Sequence, residues 1–259
     1  MALETGQATR ELAAALRDAG DPTRAVQEKR YLKSELEHFG ASVPTIRRVA
    51  VGFVDAHPGI TGPELIELVR AMWEEPVHEL RMAVVELLDR RGALLGPEDM
   101  ALLERLIRQS RTWALVDGLA VTVVGRLVQR FPELVEVLDR WAEDGDFWVR
   151  RASLLALLQP LRRGEGDFAR FSRYAERMLA EREFFIRKAI GWVLRETAKE
   201  RPDLVYDWLE PRARSASGVT VREAVKYLPE SQREDVLRAY RAGAHGVSRN
   251  SSQPATGSP

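Results

Sequence analysis

The sequence contains no cysteine among its 259 residues. This absence excludes disulfide bonds, thiolate nucleophiles and zinc sites built on sulfur. Histidine is nearly as scarce, since the chain has only four, and no two of them stand four residues apart as a helical metal pair would: His38, His57, His78 and His245. The sequence therefore predicts no metal site.

Long apolar runs are also missing, and none approaches the ~20 residues that a helix needs to cross a bilayer. The N-terminal stretch MALETGQATRELAAALRDAG has an amphipathic helical pattern that includes acidic residues. Signal and transit peptides lack that pattern of acids. We therefore expect a cytoplasmic protein with no membrane partner.

Lysine supplies only five of the 39 basic side chains, and 39 acidic residues bring the formal net charge to +0. A neutral chain argues against a simple nucleic-acid binder, unless the two signs are segregated on the surface. The arginine excess has two explanations: codon bias in a GC-rich genome, or a use for bidentate contacts to phosphate. Composition alone does not separate them.

The pattern of apolar residues is helical along most of the chain. Such residues recur three and four apart, as in PELIELVRAMW and PELVEVLDRWAE, and no alternating strand pattern is convincing. Prolines and glycines fall between these segments, where they mark helix starts. The polar, small-residue end predicts a disordered C-terminal tail over 244–259, which leaves a single domain over 1–243.

An internal repeat organises the helical segments. Six stretches align on an aliphatic residue followed, in five of them, by arginine: 46–54, 80–88, 116–124, 149–157, 186–194 and 221–229. The steps between them are 33 to 37 residues. In a helical chain this period is typical of paired helices stacked into a solenoid. We predict an all-α, HEAT-like-repeat α-solenoid of about six antiparallel helix pairs, with a concave groove for binding.

The third repeat departs from the others, because Asp117 stands where its counterparts carry arginine. One reading is structural: the carboxylate caps a helix or pairs with an arginine of an adjacent repeat. The other is functional: a carboxylate is required on the binding surface, among the arginines of neighbouring repeats. Spacing alone leaves both readings open.

Two of the six tryptophans are candidates for function. Trp113 stands four residues before Asp117, and Trp192 four residues after Lys188, so each shares a helix face with a charged side chain. A buried apolar stripe would avoid that arrangement. The other four are assigned to packing: Trp73, Trp141, Trp148 and Trp208.

A set of motifs in order, YLKSELEHFG, WALVD, FWVRRA, EFFIRKAIGWVLRE and a final REAVK, resembles the AlkD family of HEAT-like-repeat DNA glycosylases. The resemblance covers roughly residues 25 to 230. It implies an enzyme that releases purines alkylated on ring nitrogens from double-stranded DNA, without flipping the base into a pocket. It also implies a monomer that needs no cofactor, and a location in the cytoplasm on the nucleoid.

Carried over position by position, the resemblance places the catalytic aspartate at Asp117 and the two groove tryptophans at Trp113 and Trp192. It implies DNA contacts by Arg151, as a phosphate ligand, and by Tyr31, as an aromatic of the cradle. Lys188 and Arg48 are added as candidate phosphate clamps because, like Arg151, they follow the repeat position. One departure is visible: Thr112 stands where many relatives have a further tryptophan.

The chemistry of N-glycosidic cleavage fits these residue types. Positive charge develops on the sugar in the transition state, and a fixed carboxylate stabilises that charge and orients the attacking water. Two other functions stay open, a DNA-binding protein without catalysis and a HEAT-type protein scaffold. Within the glycosylase reading, small alkyl lesions compete with bulky adenine adducts of an antibiotic, the latter implying a role in self-resistance.

Overall fold

The computed structural model describes residues 3–249, with side chains through residue 243, and these residues form no strand. The described residues include an isolated parallel β-bridge, which pairs Glu37 with Val77. None of the described helices is long and apolar enough to span a bilayer. The all-α prediction is confirmed.

The contacts group into two compact units, divided between Val137 and Leu138. The prediction of a single domain over 1–243 stays a prediction. The helices of the first unit are α1 (Thr5–Asp18), α2 (Pro22–Leu32), α3 (Val43–Ala56), α4 (Gly62–Glu74), α5 (His78–Arg90), α6 (Met100–Ser110), α7 (Trp113–Gly118) and α8 (Gly125–Arg130). A π-helical segment, Leu119–Val124, joins α7 to α8.

Helix α9 (Val135–Trp141) contains the boundary between the units. The helices of the second unit are α10 (Phe147–Ala156), α11 (Leu158–Arg162), α12 (Phe168–Met178), α13 (Phe184–Thr197), α14 (Pro202–Leu209), α15 (Gly218–Ala224) and α16 (Glu230–Arg249). Helix α16 includes the first six residues of the predicted tail, and residues 250–259 lie outside the described part of the chain.

The helix starts follow the proline signals of the sequence. Pro22 and Pro202 are the first residues of α2 and α14, where a missing N–H costs nothing. Polar caps complete the starts: Asp21 accepts from Thr23 N at 2.7 Å, and Thr61 and Glu64 form a capping box on α4.

The six aligned segments fall on successive repeats of the fold. They lie in α3, α5, α7 with its π segment, α10, α13 and, for the last, α15 with the turn that follows it. Within the first unit α3 packs on α5, which packs on α7, and within the second α10 packs on α13, which packs on α15. The repeat prediction is therefore confirmed.

The arginines of the repeat position tie one repeat to the next. Arg47 on α3 donates through Nε and Nη2 to the carboxylate of Glu86 on α5, at 3.0 Å each. Arg150 on α10 makes the same fork with Glu181, at 3.0 and 2.9 Å, and Arg187 donates to the Glu181 carbonyl at 2.7 Å. Forked arginine–carboxylate pairs fix orientation as well as distance. The arginine pattern thus has a structural role in both units.

Candidate functional site

One group of candidate residues lies on the solvent-facing side of α7. Trp113 is its first residue, and Asp117 follows one turn later; both side chains are half-buried. Leu115 and Val116, between them, are fully buried. Residues four apart share a helix face, so the indole and the carboxylate are presented side by side while the opposite face holds the helix in the core.

Tyr31 completes this arrangement from a different helix. It stands one residue before the end of α2 and is 73% exposed. Its ring lies edge-on to Trp113, with centroids 6.1 Å apart and planes at 86°. This T-shaped geometry is a favourable one for two aromatic rings. The structure therefore brings Tyr31 and Trp113 together and places Asp117 one turn from their contact.

The backbone after Asp117 is unusual. A Cβ on Gly118 would lie 2.7 Å from Cγ1 of Val85, so glycine lets α7 approach α5 closely. The chain then enters the π-helical segment Leu119–Val124, and the hydroxyl of Thr122 donates to the Gly118 carbonyl at 2.9 Å. Such π segments are found frequently at functional sites. Glycine and π-helix together fix where the aspartate stands.

The second unit carries Lys188 and Trp192 one turn apart on α13, each half-buried. Gly191, next to the tryptophan, packs so tightly on α15 that a Cβ would lie 2.9 Å from the Thr220 carbonyl oxygen and 2.8 Å from the Glu223 Cβ. The ammonium of Lys188 donates to Glu223 at 2.6 Å. Burial alone would raise the pKa of Glu223, but hydrogen bonds from Lys188 and Lys226 outweigh it and lower the pKa to about 2.

The two arginines differ in accessibility. Arg151 on α10 is 3% exposed, donates through Nη1 to the Phe185 carbonyl, and has its guanidinium carbon 5.9 Å from the centre of the Phe185 ring. Arg48 on α3 is exposed, and its Nη2 donates to Thr45 Oγ1 at 3.0 Å. Of these two arginines, Arg48 is the one that is exposed to solvent.

The separation of the tryptophans into two groups is confirmed by burial. Trp113 and Trp192 are the half-buried ones, and the other four are at most 7% exposed: Trp73, Trp141, Trp148 and Trp208. The indole N–H of Trp208 donates to Ser172 at 2.7 Å, so this ring is held by a polar bond as well as by packing.

One group of described residues could hold a metal ion: ligand atoms of Glu28, His38 and Glu79 lie within 4.8 Å of one another. Glu79 also has a role of its own. Fully buried at the start of α5, it accepts the backbone N–H groups of Phe39 at 3.0 Å and Gly40 at 2.6 Å. It thereby fastens the segment that follows α2, the helix of Tyr31.

Sequence reasoning did not anticipate two strained residues beside the site. Lys33, two residues after Tyr31, has φ of 51°, and Arg111, two residues before Trp113, has φ of 47°. Residues with a side chain rarely adopt this left-handed backbone. No sequence signal identifies it here, because glycine or asparagine, which usually mark such positions, are absent from both.

The comparisons with known proteins agree with this architecture. The profile of the DNA alkylation repair enzyme family matches residues 12–228. A search of curated proteins gave no significant match. A predicted DNA alkylation repair enzyme from Enterococcus faecalis superposes with a TM-score of 0.74 at 21% identity, over 82% of this chain and 97% of that one. AlkD2 from Streptococcus mutans gives 0.62 at 16% identity, over 87% and 99%. The structural likeness establishes the helical-repeat fold.

Proposed function

Because the chain belongs to the family of DNA alkylation repair enzymes, we propose that it is a monofunctional DNA glycosylase. It hydrolyses the N-glycosidic bond of alkylated purines in double-stranded DNA, without base flipping and without a cofactor. We further propose that it acts as a monomer in the cytoplasm, on the nucleoid. The observation that carries the proposal is the half-buried carboxylate of Asp117, one helical turn from the Tyr31–Trp113 contact.

The aspartate supplies the chemistry. As the bond between C1′ and the purine nitrogen breaks, its electron pair leaves with the base and positive charge develops on the sugar. The Asp117 carboxylate stabilises that charge and orients a water, whose oxygen bonds to C1′ and whose proton passes to solvent. A purine that is already cationic leaves as a neutral base, so no general acid is needed. That requirement matches the candidate residues, which include one carboxylate and no histidine.

The aromatic side chains hold the nucleotide. The exposed ring of Tyr31 and the indole of Trp113 offer surfaces for the deoxyribose. Trp192, which lies in the second unit, is proposed on the family resemblance alone. Where an indole face meets the developing positive charge, cation–π attraction adds about 1–2 kcal/mol. Binding of this kind need not enclose the base. Both small alkyl lesions and bulky adenine adducts of DNA-alkylating antibiotics are therefore proposed substrates, the latter in self-resistance.

Arg48, Lys188 and Arg151 are proposed phosphate contacts, and they differ in their exposure and in the partners that they already have. Arg48 is exposed, while Lys188 shares its ammonium with Glu223. Arg151 can reach a phosphate only if its bond to the Phe185 carbonyl loosens. If that bond does loosen on DNA, Arg151→Ala reduces the salt slope of DNA binding by about one phosphate. An unchanged slope would remove Arg151 from the contacts.

The test is release of free base from duplex DNA carrying 7-methylguanine, in parallel with DNA carrying a bulky minor-groove adenine adduct. Wild type is compared with Asp117→Asn, and with Asp55→Asn as a control on an exposed aspartate of α3. Release that is lost only in Asp117→Asn supports the glycosylase and shows which lesion it serves. Release that persists in Asp117→Asn would refute the assignment of Asp117. Tight binding without release by the wild type would make the protein a DNA binder without catalysis.

A further inference from the structure

A cleft of about 670 Å³ opens in the first unit, next to the candidate catalytic helix. One wall is the segment 33–36 that follows α2, and another is the end of α6 with residues 109–112. Thr112, the residue before Trp113, lies in this wall. The volume lies within the range of protein sites that bind ligands.

Three of the residues that line the cleft each carry a polar atom that is closed off from solvent and has no partner. The Nε1 of Trp73, the Nε of Arg81 and the Oγ1 of Thr112 are buried, and none makes a hydrogen bond. The two neutral side chains are 2% and 5% exposed. Buried polar groups are nearly always paired in folded proteins, because leaving them unpaired costs free energy. Three such groups around one cleft point to an occupant that supplies their partners.

Backbone strain is concentrated at the same cleft. Lys33 and Arg111 are the non-glycine residues with positive φ among those that the structure describes, and both line it. Each of them is the residue that caps the end of a helix, α2 or α6, where a left-handed conformation is usual but glycine is the common occupant. A non-glycine residue in this conformation costs free energy, and here both such residues lie at the cleft.

The chemistry of the lining indicates what the occupant offers. Trp73 and Arg81 can only donate, and Thr112 can donate, so the occupant must carry acceptor oxygens. Arg81 is held with its guanidinium carbon 5.1 Å from the centre of the Trp73 ring, and Nη1 bonded to the Gln109 carbonyl at 3.3 Å. The other cations are Lys33, Arg108 and Arg111. Two acids, Glu35 and Glu74, also line the cleft, and Glu35 lies 3.8 Å from Arg111.

We infer that the cleft binds one backbone phosphate of the DNA, beside the nucleotide held by Trp113. The inference rests on the proposed function for the identity of the DNA. The Thr112 hydroxyl and the Arg81 Nε are closed off from solvent in the free protein, and they reach a phosphate oxygen when the two side chains turn toward the cleft. The phosphate then supplies the acceptors that they lack. The position of Thr112 directly before Trp113 couples the phosphate to the helix that carries Asp117. Arg111 lies between α6 and Thr112 and also lines the cleft, so binding of the phosphate holds Arg111 in place as well.

The test uses Thr112→Val, which keeps the shape of the side chain and removes the hydroxyl. In the free protein no hydrogen bond is lost, so the melting temperature should stay the same or rise. Affinity for a duplex with a tetrahydrofuran abasic analogue should fall about tenfold, the usual effect of losing a hydrogen bond to a charged group. Arg81→Lys, which keeps the charge and removes the Nε donor, should weaken binding similarly.

Methylphosphonate substitution locates the phosphate. Each phosphate near the analogue is replaced in turn by a neutral methylphosphonate. At one position the replacement should weaken binding by the wild type and leave binding by Thr112→Val nearly unaffected. Equal losses in both proteins at every position would overturn the inference. Thr9→Val is the matched control, because Thr9 is also buried with an unpartnered hydroxyl but does not line the cleft. It should keep wild-type affinity.

A free anion is the other source of the same chemistry. Inorganic phosphate is therefore titrated against wild type and Thr112→Val, with the melting temperature as readout. If free phosphate stabilises only the wild type and no methylphosphonate position couples to Thr112, the cleft is an anion site unrelated to DNA and the inference is wrong. Because every readout here is binding, a failure of base release would refute the glycosylase and leave the phosphate result standing.

Discussion

The ammonium of Lys188 and the carboxylate of Glu223 form an ion pair with a 2.6 Å hydrogen bond, which joins α13 to α15. Glu223 is shared further, since Lys226 donates to the same oxygen at 2.9 Å and Arg195 to the other at 2.6 Å. Three cations around one largely buried carboxylate make a network that ties two repeats together. The ammonium of Lys188 therefore already has an acidic partner within the protein.

The pairing of Lys188 with Glu223 predicts that Arg48 and Lys188 contribute unequally to DNA binding. Arg48→Met should reduce the salt slope of DNA affinity by about one phosphate, because Arg48 is exposed. Lys188→Met should change it by much less, since the ammonium already has an acidic partner. The measurement is DNA affinity at salt concentrations from about 50 to about 200 mM. An equal loss of slope in the two variants would show that the Lys188–Glu223 pair opens on DNA.

The tryptophans predict a separation of stability from activity. Trp141 is 1% exposed, so Trp141→Ala should lower the free energy of unfolding, by about 3–5 kcal/mol. Trp113 is half-buried and contacts Tyr31 at its edge, so Trp113→Ala should cost far less stability. It should nevertheless slow base release at least tenfold, or about 1.4 kcal/mol. Denaturant unfolding and single-turnover base release measure the two effects. A Trp113→Ala protein that unfolds as readily as Trp141→Ala would place the indole in the core.

These tryptophans show how far the sequence alone reaches. Trp113 and Trp192 each have a charged residue four positions away, and helical periodicity converts that spacing into a shared face. The same spacing joins Trp148 to Asp144 and Trp208 to Arg212, although these two indoles are buried, so the spacing alone does not separate the two groups.

The repeats were readable because the same helical pattern recurs along the chain. The carboxylates that accept from the repeat arginines could not be read from the sequence. Glu86 lies 39 residues from Arg47, and Glu181 lies 31 residues from Arg150. The positive φ of Arg111 and the missing partners of Thr112 also depend on tertiary contacts, which no local pattern encodes.

Two glycines predict opposite responses to alanine. A Cβ at Gly191 would lie 2.9 Å from the Thr220 carbonyl oxygen, a backbone atom that cannot turn aside. Gly191→Ala should therefore destabilise the protein by about 1–3 kcal/mol and displace Trp192 beside it. Gly52 on α3 has nothing within 4 Å of its added Cβ. Gly52→Ala is the control and should stabilise by about 0.5–1 kcal/mol. Equal stability of the two variants would contradict the close packing of α13 on α15.

The stacked histidines predict a loss of stability in mild acid. His38 and His78 lie parallel, with ring centroids 4.5 Å apart, and burial followed by the charges of His38 and Arg81 lowers the pKa of His78 to about 3. Burial also lowers the pKa of His38, against the opposing influence of Glu79 and Glu28.

Because the folded state favours the neutral rings, their contribution is fully present above the unfolded pKa, near 6.5. The contribution of His78 is lost as the pH falls from there toward 3, at up to about 1.4 kcal/mol per pH unit. Denaturant unfolding is measured at several pH values between about 6.5 and 4.5. This pH range lies above the lowered pKa of Glu223. His78→Phe keeps an aromatic ring against His38 and removes the titration, so the slope should become shallower. An unchanged slope in His78→Phe would assign the acid sensitivity to other groups.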